Sequence, residues 1–387
     1  MSTCDNPKRL TTLNKPKTLL HRFRSDSGHG EKRLRNTATI LLAVLLTACG
    51  GERKNDPLIL TDDTLNTALT RIIDQTVIPS VEAFSRDADA LVVATSDFCS
   101  GPDTDGLEQV QSAWGKSTTS WYRILPFLFG PPDDNLLTPG YLFIDSLRQR
   151  GNDYTSTVRA EINESASGSE SLNDAYFDRL SFTKTGLLAL EVALFEDASE
   201  STSDSDIVAG FIAEPRRCDY LKGLSKLQAD YANEFHQGWV SDYQNSGEAY
   251  RERFLRGATD DGSAPLTLLL TSAQEHLNYL KQRTVADQAG QISGISWSLM
   301  QASIEATEAI VEGDESTVVT LASLMLAAQE ESALLSVRDN FERAYEAIND
   351  ASNLDFYTAA GLLDGNFKRE IPDGLAVELG INFSDGD

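Results

Sequence analysis

From Asp62 onward, apolar residues return every three or four positions. Leu65, Leu69, Ile72, Ile73, Val77, Val81, Phe84, Ala88, Leu91 and Val92 form the first such series. That spacing lays one apolar stripe along a helix. Strict two-residue alternation, the mark of a half-buried strand, is almost absent from the chain. The pattern therefore predicts an all-α protein. Pro79 should kink the first helix, because it removes an amide donor and crowds the preceding turn. A second helix carries Leu107, Val110, Trp114 and Trp121 and must stop at the prolines of ILPFLFGPPDDN. Residues 140–166 and 172–196 read as two further helices, separated by the Ser/Asn-rich 165–173. Residues 215–245, 266–286, 295–312 and 315–350 read as four more, with a short one at 375–379.

The stretch 196–206, EDASESTSDSD, breaks this run. It lacks the glycine and terminal glutamate of a calcium loop and reads as a linker. Placing the boundary there predicts two tandem helical bundles, 61–200 and 208–387.

The N-terminus has a different character. Residues 32–51, KRLRNTATILLAVLLTACGG, join a basic cluster to an apolar stretch of about eleven residues and a cysteine. The stretch is shorter than the roughly 20 apolar residues that span a bilayer, and the layout is that of a secretory signal. Leu46-Thr47-Ala48-Cys49 resembles a bacterial lipobox, which implies that 1–48 is removed, that Cys49 carries lipid and that 49–60 is a tether. Gly50 directly follows Cys49, so the usual acidic inner-membrane retention signal is absent; this resembles lipoproteins sent to the outer membrane, here facing the periplasm. The leader also masks charge. The whole chain carries −26, but the first 48 residues carry +6, leaving −32 for the rest. A body that acidic repels nucleic acid, which excludes it as a partner, and leaves the lipid anchor as the contact with the membrane.

With Cys4 in the leader and Cys49 lipidated, Cys99 and Cys218 remain. An isolated pair in an oxidising compartment points to a disulfide, with two buried free thiols as the alternative.

Catalytic patterns are missing. His236 and His276 are the histidines of the mature chain; neither lies in a His-Glu-x-x-His helix, and each reads as a surface residue. No Gly-x-Ser-x-Gly elbow and no phosphate loop occur. What stands out is KTGLLALEVALFE, residues 184–196. Glu191 sits there among Leu187, Leu188, Leu194 and Phe195, its neighbours on a helix. A carboxylate so placed needs a partner or a raised pKa. Arg123 and the serines of SGISWS (Ser293, Ser296, Ser298) are the candidate partners.

This stretch, with three others, resembles the imelysin family of bacterial envelope proteins. Members carry Gly-x-His-x-x-Glu; here Gly186 and Glu191 fit, while Leu188 stands at the histidine position. Trp121-Tyr122-Arg123 with Phe129-Gly130-Pro131, the contexts of Cys99 and Cys218, and the ending from Leu379 to Asp387 are similar to family segments. The resemblance implies two helical bundles with a site where they meet. It also implies a link to iron or another divalent cation, with Glu191 as a metal ligand, and an outer-membrane receptor or a small ligand as partner. Some members are called peptidases. A leucine neither binds metal nor carries a proton, so Leu188 favours a binding role over hydrolysis.

Overall fold

The computed structural model describes residues 58–134, 138–148, 152–313 and 318–379. The leader, Cys49 and the family-like ending at 380–387 lie outside the described residues. Among the described residues every regular element is helical, as the apolar spacing requires.

The first series becomes α1 (Asp62–Ile72) and α2 (Ile78–Ser100), joined by a π-helical turn, Ile73–Val77. Thr61 caps α1 through a reciprocal capping box with Thr64. The expected break at Pro79 takes this form: the proline sits in the first turn of α2, where its missing amide is harmless, and the wide turn absorbs the register change. Helix α3 (Thr104–Tyr122) is capped by Asp103, whose carboxylate accepts the Gly106 amide at 2.7 Å.

The middle of the chain is more broken than its periodicity suggests. Residues 140–166 form the short α4 (Gly140–Ile144), a 3₁₀ turn and α5 (Thr155–Ser167). Residues 172–196 form α6 (Asp174–Phe177), another 3₁₀ turn and α7 (Gly186–Phe195). The acidic stretch ends early, because Asp204 already opens α8 (Asp204–Ala213), placing two carboxylates in its first turn. Helices α9 (Arg216–Val240), α10 (Tyr250–Leu255), α11 (Pro265–Arg283) and α12 (Ser296–Glu312) follow. The expected helix at 315–350 is instead α13 (Leu321–Ala327) and α14 (Glu331–Asn349), parted at Gln329 with φ +67°. Helices α15 (Asn353–Lys368) and α16 (Glu370–Gly374) end the fold, and 375–379 is not helical.

Two apolar cores organise these elements. One gathers Phe84, Trp121, Phe235, Trp239, Leu299 and Phe341; the other gathers Phe98, Trp114, Leu190, Phe211 and Leu221. Helices α2, α3 and α9 contribute to both, α9 with Leu221 at its start and Trp239 at its end. The expected bundles 61–200 and 208–387 thus share packing, since α9 lies beyond the acidic loop yet runs along α2. The Cys99–Cys218 disulfide forms, with 5.5 Å between Cα atoms, and staples the end of α2 to the start of α9.

Candidate functional site around Glu191

Helix α7 is set in place from two sides. Gly186 begins it at φ +75°, and a Cβ there would lie 2.3 Å from the Ile144 carbonyl oxygen and 2.6 Å from that of Phe143. Only glycine permits both the backbone angle and the contact with α4. Trp114 Nε1 donates to the Leu187 carbonyl at 3.2 Å, and Gln111 Nε2 donates to the Leu194 carbonyl at 2.8 Å. One face of α3 therefore holds both ends of α7.

Glu191 points from α7 at the loop ahead of α12 and is 4 % exposed. Its Oε1 accepts the Ser293 amide at 2.9 Å and the Ser293 hydroxyl at 2.7 Å. The loop that brings Ser293 in turns at Gly290, φ +61°, and is tied back by Gln291 Nε2 donating to the Ala286 carbonyl. Burial pushes the Glu191 carboxyl above the usual carboxylate range. The Ser293 amide and hydroxyl and the Ile292 backbone pull the other way, and the Glu196 charge adds to the rise.

Of the candidate partners, the structure selects Ser293. Ser296 instead donates to the Ala286 carbonyl at 2.6 Å. Arg123 pairs with Glu305 of α12, 182 positions away. Leu188 is half-buried against the second core. His276 corrects the surface reading: it is fully buried, with Nε2 against the Ser303 hydroxyl. His236 is half-buried.

Among the described residues no group of three or more His, Cys, Asp or Glu side chains could hold a metal ion. One Glu191 oxygen is occupied by two donors, and Leu188 supplies no lone pair. Among the described residues Glu191 therefore belongs to no cluster of such ligand side chains.

Sequence reading missed three interactions near the site. Gln111 and Trp114 look like ordinary residues of an amphipathic helix, and their carbonyl partners lie 83 and 73 positions away. Lys184 pairs with buried Glu161 at 2.6 Å, and Glu161 also accepts the Tyr176 hydroxyl. Burial and that carboxylate push the Tyr176 phenol up to about 12, so it stays a donor.

The raised Glu191 carboxyl predicts a pH effect. Its folded pKa lies above the ordinary 4.5, so its contribution to stability is complete below that value and is lost as pH rises through the folded pKa. Glu191→Gln carries no such charge. The stability difference between wild type and Glu191→Gln should therefore shift toward the variant from pH 4 to pH 8, measured by urea unfolding. A pH-independent difference would contradict a raised carboxyl.

The imelysin family model matches residues 77–368. No curated protein matches the sequence. The fold is similar to that of an imelysin-like protein from Psychrobacter arcticum 273-4, with TM-score 0.61 and 16 % identity over 84 % of this chain and 100 % of that one. It is also similar to a protein named as an iron-regulated protein A precursor from Parabacteroides distasonis ATCC 8503. There the TM-score is 0.59 and the identity 14 %, over 83 % of this chain and 97 % of the other. At those identities the likeness concerns the fold, and the family model carries the assignment. With that model spanning three quarters of its length, the chain belongs to the imelysin family.

Proposed function

We propose that this imelysin-family chain is a lipid-anchored component of the bacterial envelope. It faces the periplasm from the outer membrane and serves the acquisition of iron or another cation by binding a ligand or a receptor, without hydrolysing peptides. One observation carries the non-hydrolytic reading: Leu188 replaces the histidine, and Glu191 is engaged by Ser293. A buried carboxylate held by an amide and a hydroxyl is a structural tie between α7 and the loop before α12. It is not a base open to a substrate. The link to iron is supported by the iron-regulated neighbour, and the anchor by the leader that ends at Cys49.

Three measurements test this. Palmitate should label the wild-type chain in a bacterium and not Cys49→Ser, which should also leave the membrane fraction. A deletion strain should grow more slowly than its parent under iron chelation, and equal growth would remove the iron link. Purified protein should leave insulin B chain intact with zinc or ferrous ion present. Chelator-sensitive cleavage that disappears in Glu191→Gln would establish the peptidase reading instead.

A further inference from the structure

A second feature lies away from Glu191. A pocket of about 260 Å³ opens between the α1–α2 junction and α12, at the small end of ligand sites. It shares no lining residue with the Glu191 site. Glu305, on its wall, stands nine residues along α12 from Ser296, roughly 14 Å of helix.

The lining combines two chemistries. Ile72, Ala306, Ala309, Ile310 and Val319 make an apolar surface, and the alanines keep it open. Polar groups complete the lining. Arg123 is there, but its charge is met by Glu305, which also accepts Gln301 Nε2 at 2.8 Å. Arg71, from the last turn of α1, is half-buried and makes no ion pair or hydrogen bond through its side chain among the described residues. Next to it the π-helical turn lines the pocket with Gln75 and Thr76. Such wide turns recur at functional sites. Among the described residues the pocket thus holds one uncompensated cation beside an apolar surface, in a chain of net charge −26.

We propose that this pocket binds an aliphatic monocarboxylate of medium chain length. The carboxylate takes both prongs of the Arg71 guanidinium, a geometry that matches the planar fork. The Thr76 hydroxyl, which has no other side-chain hydrogen-bond partner among the described residues, donates to the same head group. The hydrocarbon tail covers Ile72, Ala306, Ala309 and Ile310. A dianion such as phosphate is disfavoured. It would face the Arg71 cation and an Arg123 charge already met by the Glu305 carboxylate, so its second charge would go unbalanced among the described residues.

The test uses the full chain with Cys49→Ser, so that no acyl anchor is added and no detergent is needed. Calorimetric titration with octanoate should saturate at one site. Acetate, which lacks the tail, and octylamine, which inverts the head charge, should each bind at least tenfold more weakly. Arg71→Gln should weaken octanoate at least tenfold. Ala309→Phe, which fills the apolar surface, should abolish binding while the far-ultraviolet circular dichroism stays that of the parent. Glu191→Gln should bind octanoate like the parent, which separates this site from the one above. The proposal fails if octanoate does not saturate, if octylamine binds equally well, or if either pocket variant binds like the parent.

Discussion

Replacing Cys99 and Cys218 together with serine should lower the stability of the chain by about 5 kcal/mol in the chain-entropy account of a bridge. The size follows from the separation of 119 positions, because a long closed loop removes much freedom from the unfolded chain. Where the bridge sits adds to the effect. It pins the end of α2 to the start of α9, beside the edge-on contact of Phe98 with Phe211 at 4.9 Å. Urea unfolding with and without reductant measures it. The double variant and the reduced parent should unfold at the same, lower midpoint with similar slope. Peptide mapping should find neither residue alkylated in the unreduced, denatured chain. Equal midpoints for the oxidised and reduced parent would contradict the prediction.

Gly186→Ala should cost about 3 kcal/mol. A left-handed backbone angle costs an L-residue roughly 1–2 kcal/mol. The remainder comes from overlap, since the new methyl would lie 2.3 Å from a carbonyl oxygen of α4 that belongs to the backbone and cannot rotate away. Helix α7 would then have to back off from α4, straining the Trp114 bond to Leu187 and the Ser293 grip on Glu191. Gly210→Ala is the control. It lies inside α8 with nothing within 4 Å of a new Cβ, so alanine there should stabilise by up to about 1 kcal/mol. Similar unfolding midpoints for the two variants would show that α7 does not need its glycine.

Helices were legible because the signal for them is local. The stripe from Leu65 to Val92 depends only on neighbours three and four positions away, and it became α1 and α2, joined by a wide turn just ahead of Pro79. Breaks without a proline were harder to read. At 140–166 the apolar spacing continues through Asp145, yet that residue ends α4: its carboxylate accepts the Leu147 amide at 3.1 Å and begins a turn. His276 misled for a related reason. Composition marks it as polar, but only the approach of α12 shows that Ser303 waits for its ring.

By itself, then, the sequence determined the helical class, the cysteine pair and the presence of a buried acid that needed a partner. Each follows from residue type and short spacing. Which serine meets Glu191, 102 positions away, was decided by the tertiary structure, as was the commitment of Arg123 to Glu305. A buried carboxylate can state its need through its greasy neighbours. Hydrogen bonds act over about 3 Å, so only the packed chain decides which donor answers it.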